Sequence, residues 1–130
     1  MRTVYIGGGT PTTLAPDQLK ALLDRLHTAF DLAPGTEFTV EAGRPDTITR
    51  EKLEAIRDGG GNRISVNPQT MSNLVLETIG RSHRAEDIRQ AYALAREVRV
   101  GDINMDLIAG LPADTPAGFA ATLDEVIGMD

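Results

Sequence analysis

The sequence predicts an α/β fold built from parallel βα units, and three observations carry that expectation. Four short strand-like runs alternate with amphipathic helical patterns along the chain. The runs read as near-continuous apolar stretches, the pattern of parallel strands covered on both faces. Each run ends in a polar or glycine-rich cluster, and in parallel α/β proteins all strand C-termini share one rim where ligands bind. Four units are fewer than a closed barrel needs. The chain therefore reads as a piece of a larger barrel or as a small open sheet.

The elements follow in order. Thr3 to Ile6 is the first strand, and it runs into Gly7-Gly8-Gly9-Thr10-Pro11-Thr12. The first helix carries Leu19, Leu22, Leu23, Leu26 and Phe30 on one face, with Pro16 in its first turn and Ala15 where a capping Ser or Thr would help. Glu37 to Glu41 is the second strand. A helix then starts near Thr49, a plausible N-cap, carries Leu53 and Ile56, and stops at Gly59-Gly60-Gly61, a turn expected to be flexible. Arg63 to Val66 is the third strand. A short helix follows Ser72 with Leu74, Val75 and Ile79, and a longer one spans Ala85 to Val98, with Arg99 where Gly would end it more easily. Ile103 to Ile108 is the fourth strand. A last helix begins after Thr115-Pro116 and carries Phe119, Leu123, Val126 and Ile127.

Composition narrows the function classes. The 130 residues are enough for one domain with a real core, and 41% hydrophobic with 25% charged residues is a soluble globular balance. Thirteen basic against nineteen acidic residues give a net charge of −6, which argues against a sequence-independent grip on nucleic acid. No apolar run is long enough to span a bilayer and the first residues do not read as a signal peptide, so the default expectation is a cytoplasmic protein. Without cysteine, the chain offers neither a disulfide nor a thiolate metal site.

Candidate ligand groups concentrate on the expected rim. The glycine turn can bring bare backbone N–H groups to a small charged ligand, or be a plain turn. It lacks the Lys of a P-loop, and Thr12 stands at the third glycine place of a dinucleotide fingerprint. Glu41 ends an apolar strand, where it is either a solvated edge residue or a receiver for an ammonium. Strand alternation puts Asn104, Asp106 and Ile108 on one face, where a carboxylate wants a partner. Gln69 after Pro68 can simply close a turn, and Arg81 at the end of a short helix is favoured by the helix dipole alone. His27 and His83 read as surface residues, and with no second nearby His a metal site is not expected.

Five segments, in this order and spacing, resemble the radical S-adenosylmethionine (SAM) enzymes, and most closely the oxygen-independent coproporphyrinogen III oxidase family in its HemZ-like branch. They are Tyr5-Ile6-Gly7-Gly8-Gly9-Thr10-Pro11-Thr12, Val40-Glu41-Ala42-Gly43-Arg44-Pro45-Asp46-Thr47, Arg63-Ile64-Ser65-Val66-Asn67-Pro68-Gln69, Ile79-Gly80-Arg81-Ser82-His83 and Ile103 to Pro112. The resemblance covers nearly the whole chain. It implies a partial, six-unit (β/α) TIM-type barrel, of which residues 1–130 supply about four parallel units as a single segment. It also implies oxidative decarboxylation of coproporphyrinogen III to protoporphyrinogen IX, with SAM and a [4Fe–4S] cluster as cofactors and a reductant for the cluster. Relatives that keep the barrel but carry haem imply the alternative of a haem chaperone, and an accidental likeness would leave an ordinary α/β ligand-binding domain. On matching positions, Gly8 and Glu41 would contact SAM at the cluster, while Gly9, Thr10, Gln69, Arg81 and Asp106 would contact a second SAM. The family's C-x3-C-x2-C loop would lie upstream of Thr3 and a C-terminal part beyond Asp130. The resemblance therefore implies no catalytic or metal-ligating residue within the segment, which alone would not catalyse the reaction.

Overall fold

A computed structural model describes residues 1–129. Strands β1 (Thr3–Ile6), β2 (Glu37–Glu41), β3 (Arg63–Gln69) and β4 (Asp102–Leu107) form one parallel sheet in the order β1-β2-β3-β4. Helices α1 (Pro16–Ala29), α2 (Arg50–Asp58), α3 (Asn73–Thr78), α4 (Ala85–Val98) and α5 (Pro116–Ile127) fill the connections. Spatial order thus equals chain order, and all four C-terminal strand ends lie on one rim.

The expectation that the strands are near-continuous apolar runs is corrected. Paired residues in a parallel sheet share a face, and the register pairs Tyr5 with Thr39, Glu41 with Ser65, and Ser65 with Asn104. One face is therefore polar: Tyr5, Thr39, Glu41, Arg63, Ser65, Asn67, Asn104 and Asp106. The other carries Phe38, Val40, Ile64 and Val66, which pack against Leu19 and Leu23 of α1, Leu53 and Ile56 of α2, and Ala95 and Val98 of α4. Each fully buried Leu or Ile in this core contributes about 1.5–3 kcal/mol. A second cluster joins Met71, Leu76, Ala85 and Ile88, with Met105 and Val126 against it.

Local chemistry accounts for the element ends. Thr49 Oγ1 accepts from the Lys52 N–H and Ser72 Oγ from the Val75 N–H. Ala15 has no capping side chain, but Gln18 Oε1 accepts the Ala15 N–H at 2.9 Å, so helix α1 is held from its third position instead. Arg99 does end α4 in the left-handed region, at φ 60°. Phe30 falls outside α1 and is exposed, and β3 runs three residues further than expected, through a register shift between Val66 and Gln69. The Gly59–Gly61 turn is closely packed: Gly59 and Gly61 are buried, and a Cβ on either would collide with Leu23 or Ile56.

At the opposite edge from the rim, Asn62 knits three strands. Its side chain accepts the Phe38 N–H and donates to the Thr36 carbonyl, both at 2.9 Å, and its own carbonyl accepts the Asp102 N–H at 3.0 Å. Among the described residues no helix is long and apolar enough to cross a membrane.

Candidate functional site

The glycine turn and the loop after β2 are fixed to each other before any ligand is considered. Each folds into a single 3-10 turn, Pro11–Thr13 and Pro45–Thr47. Thr12, fully buried, shares a 2.6 Å hydroxyl–hydroxyl hydrogen bond with Thr47, and Lys52 Nζ donates to the carbonyls of both. Thr12 thus belongs to the scaffold of the turn.

Gly7, Gly8 and Glu41 form a cradle. A Cβ on Gly7 would strike the Tyr5 ring and come within 2.7 Å of Glu41 Oε2, so the backbone runs directly against that carboxylate. Gly8 sits at φ 103°, and nothing lies within 4 Å of where a Cβ on Gly8 or Gly9 would be. The turn therefore combines a left-handed backbone with open space in front of it. Thr10 is half-buried and its carbonyl is occupied by Thr13, through both N–H and hydroxyl.

Glu41 is half-buried and accepts from Asn67 Nδ2 at 3.1 Å. Tyr5 leans over it. Desolvation of the phenol, then the neighbouring Glu41 carboxylate, raises the Tyr5 pKa above its ordinary value, although the residue as a whole is more than half exposed. The phenol stays protonated and able to donate. Asp106 is exposed at the end of β4, and its Oδ1 accepts from Asn104 Nδ2 at 2.8 Å.

Gln69 is buried and held at φ 69°, a conformation that non-glycine residues seldom adopt, at the end of the bulged β3. Its carbonyl accepts the Ile108 N–H at 2.9 Å, which ties it to the end of β4. Arg81 lies apart from the Glu41 network, in a polar cavity of about 390 Å³ lined by Arg44, Gly80, Ser82 and His83. Arg44 Nη2 donates to Ser82 Oγ at 3.1 Å, so two guanidinium groups border one cavity.

His83 is not the surface residue expected from sequence. It is buried, its ring hydrogen-bonds the Pro68 carbonyl, and its Nε2 has no partner. The bond to Pro68 is therefore made by Nδ1–H. His83 thus links the Arg81 segment to the Gln69 bulge. The structure accordingly brings Gly8, Gly9, Glu41, Gln69 and Asp106 to one rim and leaves Arg81 beside it. Sequence reasoning missed Tyr5, Ser65, Asn67, Arg44 and His83. For the strand residues the missed signal was the strict alternation Glu-Phe-Thr-Val-Glu and Arg-Ile-Ser-Val-Asn, which sets every second side chain on the polar face.

The donor set fits a small zwitterionic ligand with an ammonium: a carboxylate beside a glycine turn with exposed N–H groups. It does not fit an iron–sulfur cluster. The chain has no cysteine, and among the described residues no group of three or more His, Cys, Asp or Glu could hold a metal.

Comparison with known proteins gives the family of the chain. A family model described as the radical SAM superfamily matches residues 1–126. Among curated proteins, the chain is 44% identical over 124 residues to the oxygen-independent coproporphyrinogen-III oxidase-like protein HemZ of Bacillus subtilis, covering 95% of this chain and 25% of that protein. It is 38% identical over 131 residues to the heme chaperone HemW of the same organism, covering 100% of this chain and 34% of that one. Among solved structures, coproporphyrinogen III oxidase HemN of Escherichia coli, described as a radical SAM enzyme, matches with a TM-score of 0.88 and 33% identity, over 99% of this chain and 30% of that one. Of the two architectures left open by the strand count, this likeness selects the barrel piece. The chain spans about a quarter to a third of the length of these relatives.

Proposed function

Because the chain belongs to the radical SAM superfamily, we propose that residues 1–130 are the SAM-binding segment of a coproporphyrinogen III oxidase-like barrel in haem biosynthesis, with the cluster held by residues outside the segment. The observation that carries the reading is the cradle itself: a glycine backbone packed against the half-buried Glu41 carboxylate at the C-terminal rim of a parallel sheet. Glu41 and the backbone N–H of Gly8 would hold the methionine end of one SAM. Gly9, Thr10, Gln69, Arg81 and Asp106 would hold a second, with Arg81 toward a carboxylate and Gln69 and Asp106 toward hydroxyl or amino groups. SAM bound beside a reduced cluster supplies hydrogen-abstracting radical chemistry. This chain's residues bind and orient it, while Tyr5 shields the Glu41 side of the cradle.

Under this reading the substrate is a porphyrinogen, a reductant serves the cluster, the compartment is the cytoplasm and nucleic acid is no partner. A second reading, a haem-carrying chaperone, is supported by the 38% identity to a heme chaperone, which covers all of this chain and 34% of that protein. Porphyrinogen turnover against haem binding by the full-length protein separates the two. Family membership removes the third, an unrelated α/β ligand-binding domain.

The test of the shared premise is Glu41→Ala in the full-length protein. SAM affinity is expected to weaken by about 1–3 kcal/mol, the size of a lost charged hydrogen bond. Unchanged affinity overturns the assignment.

A further inference from the structure

The polar sheet face carries an array that no ligand assignment accounts for. Asn67 Nδ2 donates to Glu41 Oε1 at 3.1 Å, and the Ser65 hydroxyl donates to Asn67 Oδ1 at 3.2 Å. Asn104 Nδ2 donates to Ser65 Oγ at 3.1 Å and, with its other hydrogen, to Asp106 Oδ1 at 2.8 Å. Arg63 Nη2 donates to Asn104 Oδ1 at 3.2 Å, and Arg63 Nη1 lies 3.7 Å from Glu37 Oε1. One continuous chain of hydrogen bonds thus joins the two rim carboxylates, on β2 and β4, across β3.

Its direction is fixed from both ends. A guanidinium only donates, so Asn104 must turn its carbonyl oxygen to Arg63 and its amide hydrogens to Ser65 and Asp106. A carboxylate only accepts, so Asn67 must turn its amide nitrogen to Glu41 and its oxygen to Ser65. Ser65, 2% exposed, is the hydroxyl at the middle of the chain, accepting from Asn104 and donating to Asn67, and neither amide can flip without breaking two bonds. Each carboxylate has one oxygen held by an asparagine, and Glu41 is also hydrogen-bonded by the Tyr5 phenol.

We infer that Ser65, Asn67 and Asn104 are positioning residues that orient Glu41 and Asp106 as one unit, with the Ser65 hydroxyl as the link between the two carboxylates. Binding at Glu41 and at Asp106 is then energetically coupled, because ordering either end orders the amides that serve the other. The inference rests on the assignment of SAM to Glu41.

The experiment is a double-mutant cycle on SAM affinity in the full-length protein, measured by equilibrium dialysis alongside the thermal midpoint. Ser65→Ala is expected to weaken SAM binding roughly fivefold to tenfold when Glu41 is present, and to have little further effect in a Glu41→Ala background. Equal losses in both backgrounds, or no loss with Glu41 present, overturn the inference while leaving the SAM assignment standing. No effect of Glu41→Ala alone overturns the assignment and the inference together. Should Ser65→Ala not fold, Asn67→Ala, at a half-buried position, is expected to show the same background dependence, and equal losses there overturn the inference in the same way.

Discussion

Burial lowers the pKa of His83, and the Arg81 guanidinium lowers it further. Its bond to Pro68 and the carboxylates of Asp46 and Asp87 oppose this without reversing it. The folded chain therefore keeps the ring neutral where the unfolded chain, with an ordinary imidazole pKa of about 6.5, takes up a proton. Stability is full above that value and is lost as pH falls from it toward the lowered folded pKa. Urea unfolding of the protein from pH 8 to pH 5 is expected to show this loss, and His83→Asn, which can still donate to Pro68 and cannot be protonated, is expected to reduce it. The same slope in both proteins would contradict a buried neutral His83. Nothing in the sequence announced this ring. Its environment is made by Pro68 and the Gln69 bulge, 15 residues away in the chain, and a local pattern cannot report that. Glu41 and Asp106 were legible because a carboxylate at a strand end is conspicuous. Asn67 and Ser65 were not, because their importance lies in what they bond across the sheet.

Among the elements, the strands and helices were legible in kind and order, since hydrophobic period and glycine stops mark them, while β3 runs past its expected end and β4, expected at Ile103 to Ile108, is Asp102–Leu107. The error lay in the sheet faces. Thr and Tyr are strand-forming residues and a lone Ser is small, so short runs containing them passed as apolar when they in fact alternate. The register shift in β3 was equally hidden, since Pro68 and Gln69 look like a turn and instead continue the strand. The Asn62 clasp yields a test at this scale. Gly101 precedes β4 at φ 106°, and a Cβ there would run into the Asn62 carbonyl, which is backbone and cannot move aside. Gly101→Ala is expected to destabilise the protein by at least about 1–3 kcal/mol in chemical denaturation, through left-handed strain and this clash together. A midpoint unchanged from the parent would show that the strand start can shift freely.

For the whole molecule, the outer edges of β1 and β4 have no strand partner among the described residues. Tyr5, Ile108, Leu123 and Ile127 are all more than 40% exposed, the last two on α5. Open parallel edges beside apolar surface favour association. The 130-residue chain on its own is expected to elute larger than a monomer in gel filtration and to unfold without a sharp cooperative transition. A monomer with a steep transition would mean that the four units suffice. The two-faced sheet also bears on how such a protein can change. Residues that pack the core point toward the helices, and the polar residues of β2 and β3 point the other way, one position along the same strand. A mutational library confined to the more open positions Tyr5 and Asn104 would vary the chemistry of the polar face while sparing the helix-packed core. New specificity and retained stability are thereby separable traits, inherited through alternate codons of the same strands.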